Sequence, residues 1–238
     1  MNRLQASEQT RITEWFDEIY RRKGERYLRP VKAYYIYLEL LEIEHGDSLL
    51  DAACGLGLLL TAAREYGCLM HGVDISGTAI SKARQNVPDA VLARSNLEQM
   101  PFADATFDRL TCIGSLERVL NPRRALAEIG RVVKPNARLC LLVRNSNTMA
   151  WRFLSGSIAA KRARGHQGAD TLDNWRDLFE STGFEVLRVL PDQYLIHRRK
   201  ELGSLRLAKV DFRRVVDSLL PLHRANEFIF ILKKANSD

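Results

Sequence analysis

The most constraining stretch of the chain is Ser48–Ser76, SLLDAACGLGLLLTAAREYGCLMHGVDIS. Ser48 to Ala53 is a short apolar run holding one acid, the pattern of a buried strand. Cys54-Gly55-Leu56-Gly57 reads as a turn, and Leu58 to Tyr66 as a helix that Gly67 stops. Cys68 to Val73 is a second buried run, and it ends on Asp74. Glycines after a strand let the backbone approach a ligand that a Cβ would repel. The following helix offers free N–H groups and a positive dipole end. An acid at the tip of the next strand can accept two hydrogen bonds from a ribose diol. Strand, loop, helix, strand and acid in this order predict a nucleoside-containing ligand at the carboxyl edge of a parallel sheet.

The loop separates two ligand classes. A dinucleotide fold asks for G-x-G-x-x-G, and the third glycine position here is Leu60. Asp51-Ala52-Ala53-Cys54-Gly55-Leu56-Gly57 instead resembles the first motif of class I S-adenosylmethionine-dependent methyltransferases, (D/E)-x-G-x-G-x-G. Ala53 stands where that motif has its first glycine, so this position is expected at negative φ. Three further segments resemble the type-11 branch of that family in order and spacing, over roughly residues 48–145. Arg94 to Phe102 resembles G-D-A-E-x-L-P-F, with Asn96 in place of the acid. Ser115-Leu116-Glu117-Arg118-Val119 resembles L-E-H-V, with Arg118 in place of His. The helix Pro122 to Val133 and its Lys134–Ala137 turn resemble R-V-L-K-P-G-G.

The resemblance implies an α/β, Rossmann-like seven-stranded sheet of order 3-2-1-4-5-7-6, strand seven antiparallel, with helices on both faces. It implies S-adenosylmethionine as methyl donor and S-adenosylhomocysteine as product. Carried onto this chain, the cofactor residues are Asp51, Ala53, Cys54, Gly55, Gly57, Asp74, Ile75, Asn96, Leu97 and Cys112. The amide oxygen of Asn96 would take the adenine amino group, and Leu97 would lie on the ring face. The remaining strands are expected at Asp89–Ala93, Phe107–Gly114, Arg138–Val143, Phe184–Leu190 and Phe228–Leu232. Ser76 and Thr171 read as helix caps.

Residues 1–45 read as a helical lid ahead of a domain at 46–238. Residues 7–23 can form an amphipathic helix with Ile12, Trp15, Phe16 and Ile19 on one stripe, and Pro30 opens a second helix through Leu41. Tyr20 or Tyr27 can reach the methionine end of the cofactor, as an aromatic in this segment does in similar enzymes; packing of helices onto the sheet is the competing role. A basic insert at 191–225 lies between strands six and seven and carries Arg198 and Arg199, expected to hold an anionic acceptor together with Tyr20. Methyl transfer needs a base only when the acceptor is neutral and poorly acidic. His166 is the candidate for it, with a solvated surface histidine as the alternative. Glu117 is expected to compensate a helix dipole.

Net charge is +7, which suits anionic partners. No run approaches the ~20 apolar residues of a membrane span, the first ten residues lack a secretory pattern, and the four cysteines show no CxxC spacing. Reduced thiols and a cytoplasmic setting are the expectation. Three functions compete: methylation of a small molecule, anionic and lipid- or glycan-linked; methylation of RNA or protein docked on the basic insert; and a non-catalytic partner protein with a degenerate site. A basic groove interleaved with aromatics is lacking, and Cys112-Ile113-Gly114-Ser115 stands where amino-group nucleic-acid methylases carry Asn/Asp-Pro-Pro-Tyr. The small-molecule reading is favoured, and nucleic acid is disfavoured.

Overall fold

The computed structural model describes residues 3–148, 151, 168–192 and 222–235. Its seven strands are β1 (Ser48–Ala52), β2 (Leu69–Asp74), β3 (Val91–Arg94), β4 (Phe107–Ile113), β5 (Val133–Arg144), β6 (Phe184–Pro191) and β7 (Glu227–Lys234). They form one sheet in the order β3-β2-β1-β4-β5-β7-β6. β1 to β5 are parallel, and β7 runs antiparallel between β5 and β6. The expected order and the reversed last strand are both present. Arg144 pairs with Glu227, so β7 begins at the sheet edge where β5 ends.

Successive side chains of a strand point to opposite faces, and the core follows that alternation. Leu49, Cys140, Leu142, Ile229 and Ile231 join one cluster; Leu50, Leu139, Leu141, Phe228 and Phe230 join the other. Three helices cover the first face: α2 (Tyr35–Leu41), α3 (Leu58–Ala63) and α4 (Gly77–Asn86). α5 (Pro122–Val132) and α6 (Leu172–Glu180) cover the second with Leu126, Ile129, Trp175 and Phe179. Each large apolar side chain so buried contributes ~1.5–3 kcal/mol. Polar starts set the helix registers. Ser76 Oγ accepts from Ala79 N, Asn121 Oδ1 accepts from Arg124 N ahead of Pro122, and Thr171 Oγ1 accepts from Asn174 N.

The two boundaries furthest from expectation are the starts of α2 and β5. The second N-terminal helix begins at Tyr35, because Pro30 opens only a short 3-10 turn, Val31–Ala33, and no side chain caps it. β5 starts at Val133 and absorbs the expected turn. Asn136 takes φ 64°, and pairing with β4 shifts between Phe107 and Arg109, so the irregularity becomes a bulge inside the strand.

Helix α1 (Arg3–Lys23) carries the amphipathic stripe, with Ile12 buried and Phe16 and Ile19 packed on the core. Polar contacts to α4 hold it in place. Asp17 Oδ1 accepts from Ser76 Oγ (2.5 Å) and Thr78 N (3.0 Å), and Lys82 Nζ donates to Tyr20 O (2.9 Å). Asp17 thereby supplies a second cap to the N-terminus of α4. Burial raises its pKa, but the Ser76 and Thr78 hydrogen bonds win and hold the carboxyl below its usual range.

Candidate functional site

The site grows from the tips of β1, β2 and β4. Asp51, near the end of β1, is 3% exposed and accepts one hydrogen bond from Thr111 Oγ1 of β4 (2.8 Å). Burial raises its pKa to about 7 against that hydrogen bond, and the Asp74 charge adds to the rise. The chain then turns sharply. Ala53 sits at φ 75°, in the left-handed region, and not at the negative φ expected. The reason is the turn itself: Ala53 N and Cys54 N both donate to Val73 O (2.8 Å each), and the backbone must curl to bring them there. Holding an L-residue in this region costs ~1–2 kcal/mol.

Gly55 N donates to Asp74 Oδ2 (2.9 Å), and Ser76 N donates to Oδ1 (2.9 Å). Asp74 thus ties the glycine loop to the start of α4. Burial raises its pKa to about 6 against these two backbone hydrogen bonds, with Asp17 adding to the rise. A Cβ on Gly55 would lie 3.0 Å from the Tyr20 hydroxyl, so glycine here keeps room between α1 and the loop. Gly57 has a different duty. A Cβ there would lie 2.8 Å from Val87 Cγ2, so this glycine lets α3 pack close to α4.

Two cavities meet over this loop. The larger, about 610 Å³, is bounded by α1 aromatics (Trp15, Phe16, Tyr20), Tyr27, Asp51 and Cys54, by Arg118 beyond the end of β4 and by Arg144 at the end of β5. The smaller, about 60 Å³, is bounded by Gln9, Ile12, Asp74, Ile75, Asn96 and Leu97. Phe16, Tyr20, Ala53, Ser115 and Arg118 line both. In the smaller one Asn96 Nδ2 donates to Gln9 Oε1 (2.9 Å), while its Oδ1 accepts from Glu98 N (3.1 Å). Asn96 therefore bridges α1 to the loop after β3.

Most of the residues singled out in the sequence converge here. Asp51, Ala53, Cys54 and Gly55 bound the larger cavity, Asp74, Ile75, Asn96 and Leu97 the smaller, and Tyr20 both. Gly57 and Cys112 line neither: Gly57 serves helix packing, and Cys112 is a core residue within β4. Tyr27 joins Tyr20 edge to face at 5.7 Å in the cavity wall. His166, Arg198 and Arg199 lie outside the described residues. Glu117 does not start a helix. It sits inside a three-residue turn, Leu116–Arg118, 1% exposed, with neither carboxylate oxygen hydrogen-bonded among the described residues. Burial raises its pKa against the charges of Arg118 and Arg144. Asn121 caps the true helix, so no dipole falls to Glu117.

Five residues escaped the sequence reading: Asp17, Arg29, Arg144, Asp192 and Glu227. Arg29 donates to Asp192 Oδ2 (2.8 Å), Glu227 Oε2 (2.5 Å) and the Tyr37 hydroxyl (2.6 Å), and Arg144 donates to Glu227 Oε1 (2.8 Å). This network ties the segment before α2 to the ends of β5 and β6 and the start of β7, forming one wall of the larger cavity. No local pattern marks it. All four cysteines are buried and free. No helix among the described residues is long and apolar enough to cross a membrane.

A seven-stranded sheet with its last strand reversed, a glycine loop after β1 and an acid ending β2 define the class I S-adenosylmethionine-dependent fold, and the comparisons agree. Residues 50–141 match the family model of a methyltransferase domain. A demethylmenaquinone methyltransferase of Paenarthrobacter aurescens is 26% identical over 195 residues, 81% of this chain and 74% of that protein. A ubiquinone biosynthesis O-methyltransferase of Coxiella burnetii is 27% identical over 144 residues, 59% of this chain and 61% of that protein. Among solved structures, the methyltransferase complexed with the Haloferax volcanii Trm112 activator superposes with TM-score 0.72 at 17% identity, covering 95% of this chain and 99% of that one. An S-adenosylmethionine-dependent methyltransferase from Mesorhizobium loti gives 0.62 at 18% identity, covering 84% and 96%. Residues 50–141 thus match a methyltransferase domain, and the chain is an S-adenosylmethionine-dependent methyltransferase.

Proposed function

We propose that the protein methylates a small, flat acceptor in the larger cavity, with the cofactor spanning both cavities. The observation that carries this is the pair of buried carboxylates, Asp51 and Asp74, at the tips of neighbouring strands, one facing each cavity. The residues fit the cofactor. Asp74 accepts two backbone hydrogen bonds and keeps lone pairs for a ribose diol. Asp51, with one hydrogen bond, suits the ammonium of the methionine end. Ile75 and Leu97 suit an adenine ring, and Asn96 its amino group. When bound, S-adenosylmethionine supplies an activated sulfonium methyl, so the protein's task is orientation. The smaller cavity is well below the ~300 Å³ at the low end of ligand pockets. Its outer wall is α1, through Gln9, Ile12 and Phe16, so α1 must yield to admit adenosine and then cover it.

The acceptor side is walled by aromatic rings, which suits a planar ring system. The names of the two relatives, for demethylmenaquinone and for ubiquinone biosynthesis, support that choice. The finer expectation of a phosphorylated, lipid- or glycan-linked acceptor rests on Arg198 and Arg199 and takes no part in this reading. Calorimetry with S-adenosylmethionine and S-adenosylhomocysteine tests the cofactor site. Asp74→Ala should weaken both by roughly ten- to a hundredfold, the loss of one to two charge-assisted hydrogen bonds. Unchanged affinity in the folded variant would sink the placement.

A further inference from the structure

Arg118 occupies the junction of the two cavities, and its guanidinium is only partly committed. Nε donates to Gly114 O (2.8 Å), and the group lies 5.7 Å above the Phe16 ring of α1. Nη1 is buried and has no hydrogen-bond partner among the described residues. Arg144, on the same cavity wall, spends Nη2 on Glu227 and leaves Nε buried and unpartnered. Glu117 lies close enough for its charge to be felt by both, yet its oxygens accept no hydrogen bond and so consume neither donor. Glu227 is already shared between Arg29 and Arg144. Both nitrogens are closed off by protein atoms, so what Arg118 offers a ligand is the rest of a guanidinium that lines both cavities and makes a single hydrogen bond among the described residues.

A guanidinium does not release its proton in a protein, so Arg118 cannot serve as a base. The chemistry left to it is the opposite one, to hold an oxygen that has already lost its proton. The aromatic wall of Trp15, Phe16, Tyr20 and Tyr27 specifies what carries that oxygen.

We infer that Arg118, with Arg144 behind it, selects acceptors whose reacting oxygen is ionised, the aryl oxyanion being the class that this cavity takes. The inference rests on the proposed acceptor site and adds the residue that decides specificity. No general base is then required of the protein, because the acceptor's proton has gone to solvent before it binds.

The test uses the full chain saturated with S-adenosylhomocysteine and two probes: 4-nitrophenol, at a pH where it is fully ionised, and neutral 4-nitroanisole. Binding of each is measured by calorimetry, and the nitrophenolate absorbance reports that the bound probe stays ionised. The wild type should prefer nitrophenolate by about tenfold or more, the size of one opposite charge nearby. Arg118→Gln should abolish the preference, and Arg118→Lys should restore part of it, each measured with S-adenosylhomocysteine at saturation for that variant. A wild type that shows no preference with S-adenosylhomocysteine bound overturns the inference, and so does an Arg118→Gln variant that retains it. Failure of S-adenosylhomocysteine to bind the wild type would overturn the cofactor site itself, a separate result.

Discussion

Asp51 makes the ligand-free protein sensitive to pH in a direction opposite to most paired carboxylates. Its carboxyl is buried, has one hydrogen bond, and titrates at about 7. In the unfolded chain an aspartate titrates near ~3.9. Between those values the folded state holds a proton that the unfolded state has released. Stability is therefore fully present below the unfolded pKa and falls as pH rises to the folded one. The whole interval is worth ~4 kcal/mol, of which about 2 kcal/mol is lost between pH ~5.5 and ~8. For a chain of this size that is roughly 4–8 °C in Tm. Asp51→Asn keeps the shape and an acceptor for Thr111 but cannot ionise. Thermal scans of the two ligand-free proteins across this range isolate the effect, since Asp74 and Glu117 titrate in both. The wild type should lose ground to the variant by about 2 kcal/mol as pH rises. A difference between the two that stays constant with pH would refute the reasoning. By the same linkage, a cofactor whose ammonium needs ionised Asp51 should bind more tightly as pH rises through 7.

Three other outcomes follow from the geometry. Ala53→Gly removes the left-handed strain and restores some unfolded-state entropy, for a net gain of ~0.5–1 kcal/mol in urea unfolding; a loss would contradict the φ of 75°. Gly57→Ala forces a Cβ to 2.8 Å from Val87 and should cost ~2 kcal/mol or more, whereas Gly114→Ala, with φ 65° and open space, should cost only the backbone strain. Arg29→Met leaves Asp192, with 6% of its side chain exposed, without an ion-pair partner among the described residues and should cost ~2–4 kcal/mol in chemical denaturation; a loss under ~1 kcal/mol would show that the network contributes little.

The sequence determined what short-range physics controls. The apolar runs of β1 and β2, the loop between them, Asp74, and the caps at Ser76 and Thr171 were legible, because strands, turns and caps are set by residues a few positions apart. The strand order became legible through resemblance to a family, not through periodicity, and the structure bears it out. Only the tertiary structure decided the sign of φ at Ala53, because the carbonyl of Val73 on the neighbouring strand pulls the turn into place. It also separated Gly55, which faces the cavity, from Gly57, which faces Val87, though both belong to one motif. Asp17 reaches the cap of α4 across 59 residues, and Arg29 meets Asp192 and Glu227 across 163 and 198. Such contacts leave no trace in local pattern. They arise when strands end at a common edge, and that edge is where a binding site can draw on residues from the whole chain.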